Sequence, residues 1–305
     1  MSTRRSFLKQ TSLATTGLML NKNAWFKKQQ LIGLQLYTLR NEIKNDVGPV
    51  IKKVAEIGYT SIEVFGYADG RFFAHSDLGF KGISPEDFSG IIKKNNLKTP
   101  SGHYTMSDYL VKGDVDQLKK TVADAAIMGH DFFVIPYLTD IMRTNLDDYK
   151  KLADKLNKAA VEAKSAGMKL AYHNHNFEFK DWGGGKTGFD IFVKETDPSL
   201  VSFEMDIYWV SRAGLDPIKL IKENPGRIKL WHIKDMAEKK EPTFDTNGDQ
   251  LFTEVGTGII NYKEIFKYKK ESGMEYFFVE QDQVKIPVYE SISKSLDNLK
   301  KNILG

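Results

Sequence analysis

The chain has 305 residues, 41% of them hydrophobic and 28% charged, and no cysteine. That size suits one large α/β domain or two small ones, and the missing cysteine excludes disulfides, a thiolate nucleophile and any cysteine metal site. The formal charge of +4 comes from residues 1–30, where Arg4, Arg5, Lys9, Lys22, Lys27 and Lys28 stand without an acid; the remainder carries about −2, which argues against a nucleic-acid surface.

In chain order, Ser2-Thr3-Arg4-Arg5-Ser6-Phe7-Leu8-Lys9 resembles the twin-arginine export motif. The apolar stretch Leu13 to Leu20 behind it is too short for a permanent span. Residues 1–30 are therefore expected to be a twin-arginine signal and linker, with a disordered basic tail as the alternative. The signal implies a bacterial periplasmic protein, delivered folded by the export machinery with any metal already loaded.

From residue 31 to 305 short apolar runs alternate with amphipathic stretches. Strands are expected near Leu31–Tyr37, Ser61–Phe65, Lys98–Tyr104, Phe132–Tyr137, Lys169–His175, Val201–Ile207, Ile228–Ile233 and Tyr276–Glu280. Helices are expected near Val47–Ile57, Pro85–Asn95, Val115–Met128, Leu146–Ala166, Phe189–Glu195, Pro217–Glu223, Tyr262–Glu271 and Val288–Lys300. Ser84-Pro85-Glu86-Asp87 reads as a helix start. Gly58, Gly129, Gly167 and Gly273 each sit between a helix and a strand, where a left-handed cap belongs. Thr187 and Asp190 have capping-box spacing.

Eight strand–helix units in about 275 residues fit a single-domain (β/α)₈ TIM barrel. A doubly wound sheet would favour a glycine-rich fingerprint after the first strand, and Leu31–Arg40 has none. Gly183-Gly184-Gly185-Lys186-Thr187 lacks the first glycine of a phosphate loop and reads as a mobile loop over the barrel mouth. Ala237–Phe252 reads as a long loop after the seventh strand.

Four strands end in ligand chemistry: His173 and His175 on the fifth, Asp206 on the sixth, His232 on the seventh and Glu280 on the eighth. Functional residues gather at the C-terminal strand ends of such a barrel, and buried ionised groups call for a partner or a metal. Two nitrogen and two oxygen donors suit one Mn²⁺, Co²⁺ or Zn²⁺ ion better than Ca²⁺ or Mg²⁺. Gln35, Tyr37, Glu63, His103, His175 and Trp209 are candidates to hold a hydroxyl-rich ligand, and each has a plain structural reading beside it. Tyr208 and Phe177 could join Trp209 in an apolar wall. Glu280 or Glu178 is the candidate base, and Lys234 or His103 the candidate partner for a substrate oxygen. Lys234 is expected to turn away from His232 unless the strand has ended. His75 and His130 read as ordinary loop residues.

Gly33-Leu34-Gln35-Leu36-Tyr37-Thr38-Leu39-Arg40, Trp231-His232-Ile233-Lys234-Asp235 and Gly256-Thr257-Gly258-Ile259-Ile260 resemble motifs of the xylose isomerase-like barrel family, also called sugar phosphate isomerases/epimerases. The resemblance covers nearly all of the chain from Leu31 onward. It implies a divalent metal held by Glu, Asp, His and Glu on strands five to eight, and here Asp206, His232 and Glu280 match the last three. His173 falls where the family has its first glutamate, so the family's paired-glutamate proton transfer through an enediolate loses one member. Inosose dehydratases of that family are similar at Tyr172-His173 and eliminate water. The resemblance thus implies a metal-dependent sugar isomerase or epimerase on a non-phosphorylated sugar or keto-sugar, with a keto-sugar lyase or dehydratase as runner-up. A non-catalytic sugar-binding barrel is the reading from another class. An endonuclease IV-like nuclease would need a multi-metal cluster and a basic face. The expected partner is a small sugar, with no nucleic acid and no permanent membrane span; a homo-oligomer stays open.

Overall fold

Eight short runs rich in Val, Ile and aromatic residues form eight parallel strands that close on themselves. The computed structural model describes residues 31–44, 46–68, 70–73 and 82–305, so the expected export signal and His75 lie outside the described residues. Leu31–Gly305 make one compact unit. The strands are β1 (Gly33–Gln35), β2 (Ser61–Val64), β3 (Lys98–His103), β4 (Phe132–Ile135), β5 (Lys169–His173), β6 (Val201–Asp206), β7 (Ile228–Ile233) and β8 (Tyr276–Val279). Each pairs with the next in sequence, and β8 returns to β1 through Gly33 opposite Phe278. This is the expected TIM barrel.

The main crossover helices follow the expected pattern: α1 (Val47–Ile57), α2 (Pro85–Lys94), α3 (Val115–Met128), α4 (Leu146–Ser165), α5 (Gly188–Glu195), α6 (Pro217–Glu223), α7 (Tyr262–Ile265) and α8 (Val288–Asn298). The Ser84 side chain caps α2, and Thr187 and Asp190 form the reciprocal capping box of α5. Gly58, Gly129, Gly167 and Gly273 all adopt positive φ. The expected seventh helix breaks into shorter turns, and a further short helix, Ile207–Arg212, begins directly after β6. In the glycine-rich segment the Asp181 carboxylate accepts from Gly183 and Gly185 N–H, forming a turn.

Period-two alternation sorts the strand residues. Outward side chains join the large helix-facing core. Inward ones stack in tiers, starting with an apolar plug of Phe132, Val134, Ala171, Leu230 and Phe278. Gly33 leaves room for it, since a Cβ there would drive into the Phe278 ring. Above the plug the interior turns polar, and there the candidate residues meet.

His130 is no loop-surface residue. It is buried, its Nδ1–H donates to the Thr99 carbonyl at 2.6 Å, and Nε2 has no partner. Burial pushes its pKa down to about 4 against the opposing pull of that bond. The folded protein therefore disfavours a proton that the unfolded chain binds below about pH 6.5. The stability of neutral His130 is fully present above that pH and is lost as pH falls towards 4, at about 1.4 kcal/mol per pH unit. The fall in urea-derived stability over this pH range should be shallower in His130→Gln than in the wild type; equal slopes would refute it.

Candidate active site

The inner polar tier is built around two carboxylates. Glu63 on β2 is fully buried: Ser101 Oγ donates to Oε1 at 2.5 Å, and Gln35 Nε2 donates to Oε2 at 2.7 Å. His232 Nε2 meets the same Oε2 at 2.6 Å and His103 Nε2 at 3.1 Å. Glu204, inside β6, faces His103 Nε2 at 2.6 Å, His173 Nδ1 at 3.0 Å and His232 Nε2 at 3.3 Å through its own Oε2. The His103 and His232 rings stack within 9° of parallel at 5.1 Å, with His173 edge-on to both.

The outer tier faces the mouth. His232 Nδ1 lies 2.7 Å from Glu280 Oε2, and His173 Nε2 lies 3.7 Å from Asp206 Oδ2. Lys234 Nζ stands among three acids, 3.0 Å from Asp206 Oδ2, 2.8 Å from Glu280 Oε2 and 2.8 Å from Asp282 Oδ1. Arg40 on the rim donates to the Asp282 carbonyl at 2.6 Å and lies over the Tyr37 ring.

Burial and charge pull against each other here. Burial pushes the Glu63 carboxyl up, yet His103 and His232 together hold it well below the usual carboxylate range. Burial lowers the His103 imidazole, and Glu63 and Glu204 override it to about 9. His232 is likewise raised against burial by Glu204, Glu280 and Glu63. His173 and His175 go the other way: burial pushes both well down, reinforced by neighbouring positive charge from His232 on the first and Lys234 on the second. Burial raises Asp282 to about 6, with Lys234 opposing. Burial also raises Glu280, but Lys234 and His232 win and hold it ionised.

The residues suit a divalent ion. One donor atom each from Asp206, His232 and Glu280 lie within 4.8 Å of one another, and His173 reaches them through Asp206. Asp206 Oδ2 is buried without a directed hydrogen bond, although the Lys234 ammonium lies close by. An ammonium already held among these oxygens shows that the position favours a cation, and a mixed nitrogen–oxygen set fits Mn²⁺, Co²⁺ or Zn²⁺.

Asp206, His232 and Glu280 thus come together, while His173 groups with His103, Glu204 and His232 in the inner tier and meets the outer set through Asp206. β7 ends at Ile233, so the condition attached to Lys234 is met: it lies just past the strand and faces Asp206 and Glu280 on the His232 side. Gln35 and Glu63 are buried and bonded to the protein rather than open to a ligand, whereas Tyr37 lies on the rim, 38% exposed. His175 and Trp209 approach within 5.6 Å near the mouth, each with an unpartnered ring nitrogen. Phe177 stacks on His175, and Tyr208 packs edge-on against Trp209 while stacking on Phe252 and accepting from Leu251 N–H. Glu178 stands apart from the cluster; it accepts from the Tyr172 hydroxyl and from His175 N–H, and burial raises it to about 7. Glu204 and Asp282 are further site residues that the sequence reading does not name, and each lies two residues from a named ligand.

The two matching motifs are one device. Asp235 accepts four backbone N–H groups, from Met236 (2.8 Å), Gly256 (2.9 Å), Gly258 (3.0 Å) and Ile260 (3.2 Å). It clips the Gly256–Ile260 loop to the end of β7, beside Lys234.

A family model described as xylose isomerase-like TIM barrel matches residues 51–302. Among curated proteins, the inosose dehydratase of Clostridium beijerinckii is 33% identical over 151 residues, 46% of this chain and 49% of that protein. The chain spans about half the length of the curated relatives it matches. A sugar phosphate isomerase/epimerase structure from Parabacteroides distasonis is 30% identical, covers 90% of this chain and 94% of its own, and gives a TM-score of 0.74. A structure described as the IOLI protein with a zinc atom shares the fold at 17% identity and a TM-score of 0.68, over 88% of this chain and 96% of its own.

Proposed function

The chain belongs to the xylose isomerase-like TIM barrel family, and on that basis we propose a divalent-metal-dependent lyase that acts on a neutral keto-sugar, removing the proton beside the carbonyl and expelling the neighbouring oxygen substituent. The observation that carries the reading is the Glu280–Lys234 pair, a carboxylate and an ammonium 2.8 Å apart on one rim. Returning a proton to an isomerised sugar calls for two matched bases. Elimination calls for a base and an acid side by side, and His173 stands where the second glutamate would be.

His173, Asp206, His232 and Glu280 would hold the ion, which when bound would polarise the substrate carbonyl. Glu280 Oε2 lies against the Lys234 ammonium, which leaves Oε1 as the proton acceptor. The C–H bond breaks to Glu280 Oε1, the bond to the neighbouring oxygen breaks, and that oxygen takes a proton from Lys234 Nζ. A double bond conjugated with the carbonyl forms, and Asp282 at 2.8 Å supports the charge on Lys234 before transfer. The unpartnered nitrogens of His175 and Trp209 would hold substrate hydroxyls, with Tyr37 at the rim. The Arg4-Arg5 pair supports a periplasmic location for this work, which cell fractionation of a twin-lysine variant would test.

The Parabacteroides structure, at 30% identity across most of both chains, favours isomerisation or epimerisation as the second reading. Proton NMR in D₂O with keto-inositols and keto-glycosides decides between them. An unsaturated product with loss of water or aglycone is the expected result. Solvent deuterium in an otherwise intact sugar would move the chain to the isomerases. Binding without turnover, unchanged by metal removal, would leave a sugar-binding barrel.

A further inference from the structure

The inner tier contains a relay that starts at the backbone. Tyr37 N–H donates to Gln35 Oε1 at 3.1 Å, which fixes the amide so that Nε2 faces Glu63. Glu63 takes that bond and one from Ser101 Oγ, so towards His232 Nε2, at 2.6 Å, it acts as an acceptor. A proton pinned on Nε2 leaves Nδ1 to face Glu280 and the outer tier, 2.7 Å away. Glu204 does the same from the other side. Its Oε2 meets His173 Nδ1 at 3.0 Å, and a proton pinned there leaves Nε2 for the Asp206 side. His103 Nε2 spans the two carboxylates, at 2.6 and 3.1 Å.

Resting on the metal site proposed above, the geometry points to Glu63 and Glu204 as positioning residues that set the tautomers of the two metal-holding histidines, each turning one bare ring nitrogen towards the ion. Carboxylates behind metal-bound histidines commonly fix ring orientation and tautomer in this way. Glu63 therefore works through His232 rather than on substrate. Glu204, with Oε1 buried and unpartnered, has its catalytic consequence through His173. A purely structural network would hold the barrel together whichever ring nitrogen carried the proton.

The test is long-range proton–nitrogen NMR on protein labelled with ¹⁵N-histidine, with zinc as the probe. In the zinc-loaded wild type, His232 should carry its proton on Nε2 alone and His173 on Nδ1 alone. Glu63→Gln and Glu204→Gln should keep the circular dichroism of the fold and bind zinc about 10- to 100-fold more weakly. Zinc-bound His232 protonated on Nδ1, or His173 protonated on Nε2, would overturn the inference, as would wild-type zinc affinity in both glutamine variants. Should either variant fail to fold, the wild-type spectrum alone decides. A wild type that takes up no zinc would refute the metal-site reading instead. The metal-free spectrum then still judges the tautomers, a proton on His173 Nδ1 supporting the assignment and one on Nε2 refuting it.

Discussion

Replacing His232 by alanine is expected to take metal content from about one ion per chain to none and to remove activity with it. His232 ties the two tiers together, with Glu63 and Glu204 on Nε2 and Glu280 on Nδ1. Its loss deletes a ligand and leaves three buried carboxylates facing a void. Breaking a buried charge pair by removing one partner costs about 3–5 kcal/mol. Guanidinium unfolding beside elemental analysis checks both effects. His232→Gln, which keeps bulk and hydrogen bonding, separates metal loss from collapse: it should unfold nearer the wild type yet still bind metal poorly. An alanine variant that retained its ion would rule out His232 as a ligand.

Lys234→Met should separate chemistry from metal. The methionine keeps much of the stem and removes the ammonium. As the proton donor of the proposed elimination, Lys234 is expected to contribute about 10²–10⁴ in turnover. Without it, Asp206, Glu280 and Asp282 have no cation between them until an ion binds. The metal-free variant should therefore be less stable than the metal-free wild type. Added metal should raise its melting temperature by more than it raises the wild type's, through linkage to binding. Loss of turnover with metal retained is the expected pattern. Full turnover would remove Lys234 from the reaction, and loss of metal together with turnover would make it a structural counter-ion.

Much of this site was legible because burial and polarity conflict openly in the sequence. His173, Asp206, His232 and Glu280 each end an apolar run, and the barrel topology turns four such ends into one place. Glu204 is hidden inside β6 rather than at its end, although residues two apart on a strand share a face and it lies beside Asp206. Lys234 falls just past the end of β7, where alternation no longer fixes its side. Glu178 shows the same limit. Beyond His173 the chain leaves β5 and enters a short 3₁₀ turn, Phe177–Phe179, so alternation no longer says which way a side chain points. The roles of Gln35 and Glu63 depend on partners from distant strands, and no local pattern encodes those. The capped helices, by contrast, were readable because caps are local chemistry.

The closure of β1 on β8 has a consequence for the order of assembly. Arg40 reaches Asp282 and Thr38 Oγ1 accepts from Gln281 N–H across more than 240 residues of chain. The strand that leads into Glu280 is the last of the barrel to be synthesised, yet its partner is the first strand. A growing chain can therefore hold His173, Asp206 and His232 in a nearly complete but open sheet, with two unpaired edges, for as long as the ribosome retains its end. Full coordination and the seam that excludes solvent arrive together in one late, long-range step. Contacts so distant in sequence slow folding, so the interval before closure is when this chain is most exposed to strand-edge aggregation.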